Sequence, residues 1–159
     1  MKRLVCVLLI VALFCAFGCG QGDETAGAAK EYSADYAQRV AEAWKEKGYL
    51  DDMARYSDGD MLDYYGIDAS ACISAAVYGD AVGYTTEAAV VVADGAVADE
   101  IETLLTDHVA SMKEVFRSYD PEAYKIVENA VMLREGNLIV MIVSPDAQAM
   151  LDTLRTVAP

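Results

Sequence analysis

Apolar and polar positions alternate along the chain with two different periods, and the longer period predicts four helices. Residues 32–47 and residues 95–120 each carry an apolar stripe at a spacing of three or four positions, with charged residues between. A shorter helix is predicted from the capping-box sequence that begins at Ser57 and ends at Gly66, and a last helix follows Ser144-Pro145. The stripe of the long helix contains Ile101, Leu104, Leu105, His108, Met112, Phe116 and Tyr119.

Short runs of small and β-branched residues predict four strands, at residues 71–78, 87–93, 130–133 and 138–143. The last two flank a tight turn at Gly136-Asn137. The order of elements indicates an α+β domain. Its antiparallel sheet of about four strands follows a ββαββα order after an N-terminal helix, with the helices packed on one face. Two strands are nearly continuous apolar runs, which indicates that part of the sheet is covered on both sides.

The first eighteen residues have the charge pattern of a secretory signal peptide. Lys2 and Arg3 precede an apolar run from Leu4 to Phe17. A helix of that length spans about 21 Å, which is shorter than a hydrocarbon core of about 30 Å. We therefore expect residues 1–18 to be removed.

Residues 16–19, Ala-Phe-Gly-Cys, resemble the lipobox of bacterial lipoproteins, in which the cysteine receives a diacylglycerol. Phe17 departs from that pattern, and an ordinary signal peptidase could cut the same bond and leave Cys19 free. We expect lipidation of Cys19 and a location on the outer face of the bacterial cell membrane. If Cys19 is not lipidated, we expect a secreted protein.

Residues 19–33 are predicted to form the lipidated cysteine and a flexible tether, because residues 20–30 contain no large apolar side chain. Residues 34–159 then form one domain. After removal of residues 1–18, Cys19 and Cys72 remain; with Cys19 acylated, no disulfide can form. The mature chain keeps ten basic residues against twenty-six acidic ones, a formal charge of −16, and this excludes a nucleic-acid partner.

Two residues were considered for catalysis, and neither is assigned to it. His108, the single histidine, lies on the apolar stripe of the long helix, where a packed histidine is expected. Cys72 lies between apolar neighbours, which is typical of a small buried side chain. Motifs for a serine or cysteine nucleophile, a structural zinc site or a phosphate loop are missing from the sequence. We expect no catalytic residue, no cofactor and no metal, and therefore no enzyme.

Clusters of aspartate and tyrosine raise the possibility of a binding site. Six aspartates lie within eighteen residues, but their spacing does not match a calcium-binding loop, so we expect them to cap helices and face solvent. These are Asp51, Asp52, Asp58, Asp60, Asp63 and Asp68. The tyrosines are expected at the margin of the core; if they form a binding surface, Tyr32, Tyr36 and Tyr56 are the ones we expect to be exposed.

Several short motifs occur in an order that resembles a family of bacterial lipoproteins, domain of unknown function 4358, common in Firmicutes. The motifs are Leu62, Tyr65-Gly66-Ile67-Asp68, Glu87, Tyr119-Asp120-Pro121-Glu122, Tyr124 and Asn129. The resemblance spans residues 35–157 and implies a small lipid-anchored extracytoplasmic domain. It implies no catalytic residue, since the family has no established activity.

Our leading hypothesis for function is a non-enzymatic interaction module. Its partners would be membrane lipid through Cys19 and an envelope protein or small ligand. The alternative is a lipoprotein domain that binds a solute or a cation through its acidic and tyrosine-rich surface. A hydrolase comes third.

Overall fold

The structure, a computed structural model, describes residues 30–80 and 85–159. The predicted signal peptide, Cys19 and most of the predicted tether lie outside the described residues. In chain order the elements are α1 (Tyr36–Glu46), β1 (Met53–Arg55), α2 (Asp58–Tyr65), a 3-10 turn (Ala69–Ala71), β2 (Cys72–Asp80), β3 (Glu87–Ala93), α3 (Ala98–Tyr119), α4 (Pro121–Glu128), β4 (Val131–Glu135), β5 (Leu138–Val143) and α5 (Ala147–Thr156).

One antiparallel sheet runs through the domain, with its five strands in the order β1-β2-β3-β5-β4. The two middle strands, β3 and β5, are buried at every position. Their apolar sequences permit this, because a strand that is covered on both faces needs apolar side chains at odd and even positions alike. The predicted α+β class, antiparallel sheet and N-terminal helix are confirmed.

Helices cover both faces of this sheet, so the expectation that they pack on one face is wrong. Ala88, Val90 and Val92 of β3 pack in one cluster with α1 and α5. Ala89 and Val91 pack in a second cluster with residues of α2, α3 and α4. The physical reason is the period of two along a strand, which sends the apolar side chains of β3 alternately to opposite faces.

Two elements escaped the sequence analysis. β1 is only three residues long and half-buried or exposed, so it carries no apolar alternation. The other element, α4, begins where the long helix ends. The Asp120 carboxylate accepts hydrogen bonds from the backbone N–H of Glu122 at 3.0 Å and of Ala123 at 3.1 Å, and Pro121 occupies the first helical position. Residues that stop one helix can therefore start the next.

The segment before α1 is fastened to the β4–β5 turn. Tyr32 donates its backbone N–H to the Asn137 side-chain oxygen at 2.8 Å, and its hydroxyl bonds to Glu135. The Lys30 ammonium lies 3.4 Å from the same carboxylate and 4.8 Å from the centre of the Tyr32 ring. Residues 30–32, which we assigned to the tether, thus contact the folded domain.

Tyr32 and Tyr36 are buried, and their predicted exposure is wrong. Their side chains are 5% and 2% exposed, and the two ring centroids lie 4.5 Å apart. Tyr36 lies on the apolar face of α1 together with Val40 and Trp44. Tyr32 is buried by its contacts with the distant β4–β5 turn, which no local sequence pattern reports.

The longest helix, α3, has 22 residues, with charged positions between its apolar ones. Among the described residues, no helix is both long enough and apolar enough to cross a membrane.

Gly136 should be required for the fit between Lys30 and the turn. Its φ is +61°, and a Cβ at this position would lie 1.6 Å from the carbonyl oxygen of Lys30. We expect Gly136→Ala to lower the free energy of unfolding by about 1–3 kcal/mol, through backbone strain and loss of this contact. Urea denaturation measures the change, and faster hydrogen exchange at the Tyr32 amide would report release of the segment.

Gly95 supplies the matched control, because a Cβ there meets no atom within 4 Å. We expect Gly95→Ala to change stability by less than about 0.5 kcal/mol. Equal effects of the two substitutions would contradict the assigned role of Gly136.

Candidate functional site

A buried carboxylate connects three elements of the domain. Glu87, the first residue of β3, is 7% exposed. Its Oε2 accepts a hydrogen bond from the Tyr65 hydroxyl of α2 at 2.8 Å and lies 2.7 Å from Nε2 of His108 on α3. The rings of Tyr65 and His108 meet edge to face, with centroids 4.6 Å apart.

Local structure explains why these three side chains meet. Glu87 shares the parity of Ala89 and Val91, so its side chain points to the face that α2 and α3 cover. Tyr65 ends α2 one turn after Met61, and both residues are buried. His108 lies beside Leu105 on the apolar side of α3 and keeps 21% of its side chain exposed. The half-buried position of His108 is the one that the apolar stripe predicted.

The electrostatic environment keeps Tyr65 protonated. Burial raises the pKa of its phenol far above the ordinary value, and the negative charge of Glu87 raises this pKa further. Tyr65 therefore remains a hydrogen-bond donor across the physiological pH range. Among the described residues, Glu87 is the only charged residue that is buried. The Tyr65 hydroxyl and the His108 imidazole at this oxygen offset part of the cost of burying the carboxyl group.

Two further tyrosines lie beside Tyr65. The Tyr56 ring stacks on Tyr64 with centroids 5.3 Å apart and lies 6.1 Å from the Tyr65 ring. The Tyr56 hydroxyl lies over Gly79, which pairs with Glu87 across the sheet, and a Cβ on Gly79 would come 2.1 Å from that oxygen. Tyr56 is half-buried, so its predicted exposure is met only in part.

The six aspartates form no common site. Asp60 completes a capping box at the start of α2: it receives 2.7 Å hydrogen bonds from the backbone N–H and the hydroxyl of Ser57, which hold its pKa below the usual value. Asp68 accepts from the Ser70 N–H at 2.8 Å, and the pKa of Asp68 is also lowered. The predicted capping role is thus observed at two of the six. In the part of the chain that the structure describes, no three His, Cys, Asp or Glu side chains converge as a metal site requires.

Cys72 is far from the histidine. It pairs with Ala93 at one end of β2, whereas Gly79 pairs with Glu87 near the other end. On β3 the two partners, Ala93 and Glu87, are six positions apart, a distance of about 20 Å. The Cys72 thiol is half-buried, and burial raises its pKa to about 11. The structure therefore does not bring the thiol and the imidazole together.

A groove of about 680 Å³ lies beside β2, where β1 ends and α2 begins. Its lining includes Arg55, Tyr56, Ser57 and Asp58 on one side, and Cys72, Ile73 and Ser74 on the other. Both charges and apolar surface face this groove, and Ile73 is 48% exposed. The groove offers room for a small molecule next to Tyr56.

Sequence reasoning did not identify Glu87 and Tyr65 as a site, although both stand in the motifs that carry the family resemblance. One signal was available. Glu87 opens an otherwise apolar strand, and a charged residue in phase with buried positions requires partners. The positions of Tyr65 and His108 could not be inferred, because α2 and α3 meet only through tertiary packing.

The Tyr65 hydroxyl should contribute to stability. We expect Tyr65→Phe to lower the free energy of unfolding by about 1–2 kcal/mol, because Glu87 stays buried with one donor fewer. Urea denaturation at neutral pH measures the loss. Tyr64→Phe is the matched control, since that side chain lies on the same helix and is 54% exposed. If both variants lost the same stability, the hydrogen bond to Glu87 would have no special role.

Cys72 should react slowly at neutral pH. A pKa raised to about 11 leaves little thiolate at pH 7, so the alkylation rate should keep rising as the pH approaches that value. Iodoacetamide labelling followed by mass spectrometry, in the mature chain with Cys19→Ser, measures the rate at each pH. The same protein unfolded in urea is the control, and its rate should level off near the ordinary pKa of about 8.5. A plateau at that pH in the folded protein would contradict the burial of the thiol.

Comparison of the chain with curated proteins and with solved structures gave no match. One family model, described as "Domain of unknown function (DUF4358)", matches residues 46–144. This range is more than half of the 159 residues, and it runs from the end of α1 past the end of β5. It includes Tyr65, Glu87 and His108. The chain therefore belongs to the DUF4358 family, a domain of unknown function.

Proposed function

We propose that this protein is a lipid-anchored extracytoplasmic protein whose folded domain binds an envelope partner and catalyses no reaction. The proposal rests on the hydrogen bonds that the buried carboxylate of Glu87 makes within the fold. Glu87 accepts its hydrogen bonds from α2 and α3, so it joins elements of the fold. A catalytic carboxylate has to reach the reacting atoms of a substrate. In this domain Tyr65 and His108 both hydrogen-bond to the same oxygen of Glu87, Oε2.

The other groups that a hydrolase could use, a thiol and two carboxylates, do not form a common site either. Cys72 lies about 20 Å along the sheet from the end that carries Glu87. Its raised pKa favours the thiol over the nucleophilic thiolate. Asp60 and Asp68 accept backbone hydrogen bonds at the starts of helical turns. Each of these groups thus has a structural use that accounts for its position.

The proposed location at the membrane rests on the leader sequence and on the position of Lys30. Residues 1–18 have the signal-peptide pattern, and Cys19 follows a lipobox-like sequence. Ten residues separate Cys19 from Lys30, where the described domain begins, and they can span at most about 36 Å. Two acyl chains would make the attachment durable.

Mass spectrometry of the mature amino terminus tests the proposed lipid anchor. We expect Cys19 as the first residue and a mass increase of one diacylglycerol, with the protein in the membrane fraction. The Cys19→Ser variant is the matched control and should leave that fraction. An intact leader, or an unmodified Cys19 on released protein, would overturn the lipid anchor.

Activity assays test the second half of the proposal. A purified mature domain should not turn over a panel of ester, peptide and glycan substrates above the rate of a His108→Ala control. Turnover that His108→Ala or Glu87→Gln abolishes would show that the cluster is catalytic.

A second candidate function, solute binding, is favoured by the groove beside β2. Arg55 and Ser57 provide polar contacts there, and Cys72 lies on the opposite wall. A bound solute would cover the Cys72 thiol and slow its alkylation further. The same labelling experiment, repeated with candidate solutes, therefore separates this function from the first.

A further inference from the structure

Different residues lie at the two ends of the sheet. At one end, the β4–β5 turn at Gly136-Asn137 lies beside the C-terminal end of β3, where the Ala93 N–H donates to the Asn137 carbonyl at 2.9 Å. At the other end, Glu87 of β3 pairs with Val143 of β5. We call these the turn end and the Glu87 end. The six residues of β5 separate them by about 20 Å.

The described chain begins at the turn end. Lys30 and Tyr32 contact Glu135 and Asn137, which flank Gly136. A Cβ on Gly136 would meet the Lys30 backbone, so the two backbones lie against each other. The last residues lie at this end as well, because Arg39 at the start of α1 donates to the Ala158 carbonyl at 2.8 Å.

We propose that the turn end faces the membrane and that the Glu87 end points away from it. This orientation rests on the proposed lipid anchor at Cys19. The ten residues between Cys19 and Lys30 attach at the turn end, so this end stays nearest to the lipid in most orientations of the domain. The other end can approach the headgroups only if the domain tips over. The lipid surface is thus the neighbour of the β4–β5 turn.

This orientation decides which exposed apolar residues can meet a partner. α3 starts just after β3 at the turn end and extends for 22 residues, about 33 Å, whereas the seven residues of β3 cover about 24 Å. The last turns of α3 therefore extend beyond the Glu87 end. Val115 and Tyr119, which are 57% and 83% exposed, lie on those turns. They are directed away from the lipid.

Energy transfer from the domain to the membrane tests the orientation. A donor dye is attached through p-acetylphenylalanine in place of Thr156, at the turn end, or in place of Tyr119, beyond the Glu87 end. The mature chain carries Cys72→Ala and is bound to phosphatidylcholine vesicles that contain an acceptor-labelled lipid. We expect several-fold more efficient transfer from position 156 than from position 119. Equal transfer, or more efficient transfer from position 119, would overturn the orientation.

The design separates this proposal from the lipid anchor. One sample uses the native amino terminus, and a second uses a maleimide lipid coupled to the Cys19 thiol. If Cys19 proves to be unacylated in cells, the second sample still reports the orientation. A third sample, with a twenty-residue Gly-Ser insertion before Lys30, is the control, and its two transfer efficiencies should become more similar. A difference that this insertion leaves unchanged would show that contacts other than the tether orient the domain.

Discussion

Burial of β3 and β5 on both faces is the constraint on which the rest of this fold depends. Every residue of these strands is buried, and alternate side chains leave the strands in opposite directions. Each face therefore requires its own helical layer. α1 and α5 form one layer, and α2, α3 and α4 contribute to the other. The chain supplies α1 to the first layer, then α2, α3 and α4 to the second, and returns to the first layer with α5.

Glu87 is the one charged residue in these two buried strands. A carboxylate at the first position of β3 points into the layer formed by α2 and α3, where an unpaired charge would cost several kcal/mol. Tyr65 and His108 offset that cost because each places a hydrogen-bonding atom within 2.8 Å of the same oxygen. The two side chains come from different helices, so the hydrogen bonds specify how α2 and α3 sit relative to the sheet. A packed apolar residue would be less selective, since dispersion contacts depend weakly on direction.

Much of the element order follows from the sequence because local chemistry determines it. The Ser57 capping box and the Gly136-Asn137 turn appear where their patterns predict them. The stripe of α3 does so as far as Phe116, but Tyr119, which we placed on the same stripe, is 83% exposed. What remained hidden depends on residues that are distant in the chain. Tyr32 is buried by a turn 105 residues away, and Glu87 meets its partners at separations of 21 and 22 residues. No local period reports such contacts.

The number of covered faces could have been inferred, and the error is informative. The apolar runs of β3 and β5 indicated two covered faces, yet the element order suggested helices on one face only. Strand composition was the better guide, because it reflects the burial of each side chain directly, whereas element order leaves the path of each helix open. The same reasoning applies to the ends of the sheet. Antiparallel connections place the β4–β5 turn, the segment that contains Lys30 and the end of α5 together at one end, and Glu87 at the other. The Lys30 segment and the cluster of Glu87, Tyr65 and His108 are thereby separated by the length of one strand, so contacts made by one do not involve the other.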